Sequence, residues 1–323
     1  MVLLSIPSPS ENAVHIGPLE LRAYGLMIAL AVLAAVAIAR RRWAGRGGAP
    51  DDITALAVWA VPAGLVGARL YHVATDWHRF EGRWWHIPAA WEGGLGIPGG
   101  LAAGVLAGLW VARRRNLPTA QLLDVVAPAL LVAQAIGRLG NWFNQELYGR
   151  ATDLPWALEI DAAHRPAGLA DVATYHPTFL YEALWNLALA ALLIVVERRW
   201  HPRPGQLFAG YVAGYAAGRF WVEALRIDPA TELLGLRVNL WVSAATLVAA
   251  LAVLAARARS DQPTDQVLTP AGRGQPVDHR DRRGQAGTGC NAQSTTCTTT
   301  APRRTMLETL APVRWHRRCG GVS

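Results

Sequence analysis

The chain has 323 residues, 52% hydrophobic and 17% charged, with a formal net charge of +8. Apolar content this high over long windows excludes an ordinary soluble domain and indicates an integral membrane protein. All 31 basic residues are arginine, and most lie at the ends of apolar runs or in the C-terminal tail, so topology explains the charge better than nucleic-acid binding.

In chain order, residues 1–20 read as an extracytoplasmic N-terminal segment. No basic n-region or small-residue cleavage site precedes the first apolar run, so no removed signal peptide is expected. Seven apolar runs follow, at about 21–39, 53–74, 95–112, 122–136, 179–196, 207–225 and 236–256. Each is near the ~20 residues that a helix needs to cross the hydrocarbon core. The expected fold is an all-α membrane protein of seven transmembrane helices over residues 21–257. Arginine clusters follow the first, third, fifth and seventh runs: Arg40, Arg41, Arg42 and Arg46; Arg113, Arg114 and Arg115; Arg198, Arg199 and Arg203; Arg257 and Arg259. Positive-inside then puts the N-terminus outside and the C-terminus in the cytoplasm.

The alternate loops carry Trp, Asp and Glu instead. Residues 75–94 hold Trp77, Trp84, Trp85 and Trp91, as suits an interfacial belt. Residues from about 140 to 176 form a small extracytoplasmic insertion between the fourth and fifth helices, in which 156–160 reads as a short strand. No internal repeat is evident. From about 258 to 323 the chain turns to Gly, Thr, Gln, Pro and Arg, which reads as a disordered basic cytoplasmic tail. All three cysteines (Cys290, Cys297, Cys319) lie there, with no metal-binding spacing.

Four constellations carry candidate chemistry. The first is Arg138 with Asn141, Asn144 and Glu146, between glycines at the end of the fourth run. Arginine offers a planar fork of donors that fits a phosphate, and the asparagines add neutral donors and acceptors. A snorkelling interfacial arginine is the plainer alternative. The second is Arg219, Glu223 and Arg226 in the sixth run, with Tyr215 one turn earlier, all on one helix face. Two cations against one anion leave a positive charge for an anionic ligand, unless the three form a structural network. The third is the segment Gly93-Gly94-Leu95-Gly96-Ile97-Pro98-Gly99-Gly100. It is expected to interrupt the helix and to expose amides, those of Gly99 and Gly100 among them, that cradle an anion; tight helix packing through small residues is the alternative. The fourth is His176-Pro177 before the fifth run, where His176 is a candidate base and a helix start is the plainer reading. Tyr24 and Arg69 are single polar side chains inside the first two runs.

The stretch Gly137-Arg138-Leu139-Gly140-Asn141-Trp142-Phe143-Asn144-Gln145-Glu146-Leu147-Tyr148-Gly149 resembles the signature of bacterial prolipoprotein diacylglyceryl transferases. Other pieces match in order from about residue 16 to 245: Arg22-Ala23-Tyr24-Gly25-Leu26, Gly67-Ala68-Arg69-Leu70, the glycine-rich segment, His176-Pro177, Leu180-Tyr181-Glu182, and Arg219-Phe220 with Glu223 and Arg226. The resemblance implies a seven-helix plasma-membrane enzyme with its site on the extracytoplasmic side. It implies transfer of diacylglyceryl from phosphatidylglycerol to the lipobox cysteine of prolipoproteins, with release of glycerol phosphate. Arg138 falls on the family's lipid-contacting arginine, and Tyr24, Asn141, Glu146, Gly149, Arg219, Glu223 and Arg226 fall on positions held important.

In that reading Arg138 and Arg219 take the charge of the leaving phosphate, Glu146 and Glu223 orient them, and Tyr24 and Asn141 bond the headgroup. Many members carry histidine where this chain has Pro98; either that histidine is not the essential base or another group replaces it, and His176 is the candidate. The partners implied are phosphatidylglycerol, lipobox peptides and membrane lipid, with no nucleic acid, and no metal or other cofactor is expected. A membrane transporter of an anion or lipid, using the same arginines, is the rival function.

Overall fold

The computed structural model describes residues 5–16, 19–89 and 93–259; the side chains of 14–16, 19, 20 and 259 are not part of that description. The sequence-expected tail and its cysteines lie outside the described residues, as does Trp91. Among the described residues seven α-helices run in chain order: α1 (Ala23–Gly45), α2 (Pro50–Thr75), α3 (Ile97–Arg114), α4 (Thr119–Phe143), α5 (Thr178–Trp200), α6 (Gln206–Leu225) and α7 (Val238–Arg259). Five of them, α1, α2, α4, α5 and α7, are long and apolar enough to cross a membrane. The other two fall short for visible reasons. α3 is glycine-rich and ends in Arg113 and Arg114, and α6 carries Arg219 and Glu223 inside it.

Side-chain bonds show that the helices alternate in direction. At one end, Trp43 Nε1 of α1 donates to Asp52 of α2 at 3.2 Å, and Arg115, just past α3, pairs with Asp52 at 2.9 Å. Arg42 and Arg46 of α1 both meet Glu197 near the end of α5, and Arg42 Nε also donates to the Val125 carbonyl of α4 at 3.0 Å. The arginine clusters gather there, at the ends of the odd-numbered helices. At the other end, Tyr24 of α1 packs on Gly140 of α4, and the last turn of α6 meets the first turn of α7.

Small residues set the closest helix pair. α2 and α3 meet through Gly64, Gly67, Gly99, Gly100 and Gly104, where a Cβ at Gly64 would lie 3.3 Å from the Gly100 carbonyl oxygen. This is backbone-to-backbone packing of the small-residue kind used inside membranes. The expectation that the glycine-rich segment prevents a regular helix is therefore corrected. Irregular backbone is confined to its first part, and α3 starts at Ile97 with Pro98 in its first turn, where a missing N–H costs nothing. Outside the bundle, large apolar side chains such as Leu33, Val58, Leu106 and Val248 stand more than half exposed, as lipid-facing positions do.

Three two-stranded hairpins decorate the Tyr24 end. β1 (Ala13–Ile16) pairs with β2 (Leu19–Arg22), β3 (Leu158–Glu159) with β4 (Thr174–Tyr175), and β5 (Glu232–Leu233) with β6 (Leu236–Arg237), all antiparallel. The expected strand at 156–160 is present as β3. Around it Tyr148, Leu158, Ile160, Tyr175 and Phe179 form a small buried core, which Ile6 caps.

Candidate active site

The helix α4 does not stop at Ile136 but continues to Phe143. Arg138 and Asn141, three residues apart, thus share one face of its last two turns. The chain then turns sharply: Gln145 and Leu147 have φ of 51° and 60°, a conformation costly for residues with a Cβ. The turn is held on all sides. Gln145 Nε2 donates to the Pro9 carbonyl at 3.0 Å, the Asp161 N–H donates to Gln145 Oε1 at 2.8 Å, and Thr178 Oγ1 donates to the Leu147 carbonyl. At Gly149 a Cβ would run into His176 and crowd the Leu225 carbonyl at 3.2 Å, so only glycine fits this crossing of the α4–α5 connection over the end of α6.

Here a line of charges crosses the bundle. Arg138 Nε of α4 pairs with Glu182 Oε2 of α5, and Arg219 Nη1 of α6 holds Glu182 Oε1 at 2.8 Å. Arg219 Nη2 meets Glu223 Oε2 one turn on, at 2.6 Å. Glu223, fully buried, also receives Arg237 Nε at 2.7 Å, Asn239 Nδ2 at 3.1 Å and, more loosely, Arg226 at 3.5 Å. Arg226 grips Asp228 with two bonds of 2.7 and 2.8 Å, and Arg237 adds a third at 3.0 Å. Burial pushes Asp228 up, but the bonds and charges of Arg226 and Arg237 outweigh it and hold its carboxyl below the ordinary range. The β5–β6 hairpin supplies Arg237. Its turn residues Leu234 and Gly235 both have positive φ, the twist that two-residue hairpins need.

Four arginines face three carboxylates along this line. Glu146 stands beside it, its Oε1 accepting from Asn141 at 2.8 Å and from Asn144 at 3.1 Å. Counting Glu146, the charges balance, so the surplus positive charge expected from the sequence is corrected. What remains is directional. The Arg138 side chain is 20% exposed, and its Nη1 makes only a long 3.4 Å bond to Asn141. Its Nη2 has no acceptor among the described residues. Arg138 thus has donor capacity to spare, and it lines a narrow cleft together with Asn141, Leu147, Thr178, Phe179, Glu182 and Arg226. Tyr24 stands at the margin, its ring on Gly140 and its hydroxyl in electrostatic reach of Glu146 and Arg138.

Most of the sequence-expected site residues thus converge: Tyr24, Arg138, Asn141, Asn144, Glu146, Gly149, Arg219, Glu223 and Arg226. Of these, Arg138, Asn141 and Arg226 line the cleft and the others surround it; three further candidates stand apart. Gly99 and Gly100 are taken up in packing against α2. His176 lines neither the Arg138 cleft nor its neighbour beside Arg219. Its Nδ1 shares a 3.1 Å hydrogen bond with the Tyr181 hydroxyl, and burial, helped by Arg150, holds its pKa below the usual value. Arg69 serves a structural end, donating to the Ile87 carbonyl at 2.7 Å and to the carbonyls of His86, Gly93 and Gly94.

Glu182, Asp228, Arg237 and Asn239 were missed as site residues. For Glu182 a signal existed: an acid inside an apolar run is itself a functional marker.

A family model described as prolipoprotein diacylglyceryl transferase matches residues 11–256. The chain belongs to the prolipoprotein diacylglyceryl transferase family. It is 50% identical over 278 residues to phosphatidylglycerol--prolipoprotein diacylglyceryl transferase 2 of Streptomyces coelicolor, covering 85% of this chain and 87% of that one. To the protein of that name from Frankia alni it is 50% identical, covering 84% and 71%, and to that from Cutibacterium acnes 51%, covering 73% and 81%. The chain is a transferase of a lipoprotein-modifying family and an integral membrane protein.

Proposed function

We propose that this chain transfers the diacylglyceryl group of phosphatidylglycerol to the lipobox cysteine of prolipoproteins, in the plasma membrane, with the Arg138 end facing outward. The names of its relatives support the substrates. The gathering of arginine clusters at the opposite end supports the orientation, since positive ends stay in the cytoplasm.

The open fork of Arg138 carries the reading. One side of its guanidinium is fixed by Glu182, which Arg219 fixes in turn, while Arg138 also lines a narrow cleft that a bound phosphate would have to widen. A guanidinium so held is prepaid in orientation and binds a phosphate with two parallel bonds. The substrate thiolate attacks the glycerol carbon that bears the phosphate. A C–S bond forms as the C–O bond breaks, both electrons of that bond stay on the departing phosphate oxygen, and the thiol proton leaves with the released glycerol phosphate or solvent. Negative charge grows on that oxygen, and Arg138 with Arg219 stabilises it more than the ground state. Glu146 holds Asn141, and Glu223 holds Arg219. Asn141, Asn144 and Tyr24 border the headgroup. A free thiol is a few per cent thiolate at neutral pH, and the arginines raise that fraction.

The test is direct. Purified protein is incubated with phosphatidylglycerol and a lipobox peptide, and the cysteine gains the mass of a diacylglyceryl group. A peptide of unchanged mass would refute the reading.

A further inference from the structure

Asn186 lies on α5 four residues beyond Glu182, away from the Arg138 end, so it sits about 6 Å deeper along the helix. It is 2% exposed, and its Nδ2 has no hydrogen-bond partner among the described residues. A buried amide N–H without an acceptor is costly in a folded protein, so it calls for a partner such as a ligand group or a water. Asn186 also lines a second narrow cleft, together with Glu182, Arg219, Tyr215, Gly218 and Val222. The cleft shares Glu182 and Arg219 with the ion-pair line, and Trp185 completes its lining.

We propose that Asn186 is a substrate-binding residue that donates to an ester carbonyl of the donor lipid; this rests on the reading of the Arg138 cleft as the phosphate site. The depth order of a diacyl phospholipid supplies the match. Below the phosphate come the glycerol carbons, then the ester carbonyls, then hydrocarbon. With the phosphate on Arg138 and Arg219, the level one turn deeper is that of the carbonyls, where a neutral donor is needed. A carbonyl is an acceptor only, and the orphan atom is a donor. A water molecule offers the same acceptor chemistry, and the test separates the two.

In mixed micelles, ester-linked and diether phosphatidylglycerol of equal chain length compete for one lipobox peptide. The diether lacks both carbonyls, so the two products differ in mass, and their ratio reports relative kcat/KM. Wild type favours the ester about fivefold, the worth of one neutral hydrogen bond. Asn186→Leu, which keeps the volume, brings the ratio close to one by slowing the ester alone. Asn186→Ala does the same and serves where leucine packs poorly. A ratio that shifts by less than twofold in both variants, as a bound water or a packing role would give, overturns the assignment, and so does loss of fold in both. Absence of any transfer by wild type instead strikes the proposed function itself.

Discussion

The carboxylate of Asp124 in α4 accepts a 2.6 Å hydrogen bond from the backbone N–H of Gly205, just ahead of α6. Its other oxygen takes the N–H of Phe208 at 2.8 Å. One helix thus caps another, with an acid where the α6 dipole is positive. Fourteen residues separate Asp124 from Arg138, and fourteen separate Gly205 from Arg219. Equal rise along both helices, about 21 Å, brings the two arginines level on either side of Glu182.

Asp124→Ala should therefore lower stability by about 1–2 kcal/mol, the worth of a cap. The detergent-solubilised protein should melt several degrees lower. Asn offers one acceptor where the carboxylate uses two, and its Nδ2 would face a backbone N–H, so Asp124→Asn should recover at most part of the loss. Equal melting of all three proteins would show that the cap does not fix α6.

Glu223 gathers three arginines and an asparagine while fully buried. Glu223→Gln leaves those cations uncompensated, and breaking a buried pair costs about 3–5 kcal/mol. The expected result is a fall in folded yield together with at least a tenfold loss of kcat/KM in whatever folds. A variant with normal yield and normal transfer would remove Glu223 from the positioning of Arg219.

At Gly149 the space for a methyl group is already filled by His176 and bounded by a carbonyl. Gly149→Ala should displace the 145–149 turn and with it Glu146. Overpacking of this kind costs about 1–3 kcal/mol. Transfer should drop at least tenfold while the helical circular dichroism stays unchanged.

Burial and Arg150 hold His176 below its ordinary pKa of 6.5. The unfolded chain then binds the proton first as pH falls. Stability from this group is present above about pH 6.5 and is lost as pH drops towards the folded pKa. His176→Gln should flatten the melting temperature between pH 7 and 5. Because His176 lies off both clefts, the same variant should keep most of its transfer activity at pH 7.5; a hundredfold loss would make it the base after all.

The helices were legible because apolar runs and arginine clusters obey the same membrane rule, and all seven appear, five of them within four residues of their expected bounds. The exceptions are the ends of α1, which runs on through its arginine cluster to Gly45, and of α4. The run stops at Ile136 on hydropathy, yet backbone bonding continues beneath Arg138 because protein, not lipid, surrounds it. The Arg138, Asn141 and Glu146 group was visible as a dense polar cluster in an apolar chain. Its other half was not. Glu182 is 44 residues after Arg138 and 37 before Arg219, and Arg237 arrives on a hairpin. No local pattern encodes such pairings. The glycine-rich segment misled in the opposite sense, since glycines that free a loop and glycines that let helices touch look alike in one sequence.

The measurement that bears most directly on the site is transfer by Arg138→Lys. Lysine keeps the charge but has one point donor in place of a fork, and it cannot hold Glu182 and a phosphate together. With folding verified by the melt, kcat/KM for phosphatidylglycerol should fall about 100-fold, the scale of losing a donor aimed at developing charge. Transfer at the wild-type rate would contradict the assignment of that open fork to the departing phosphate.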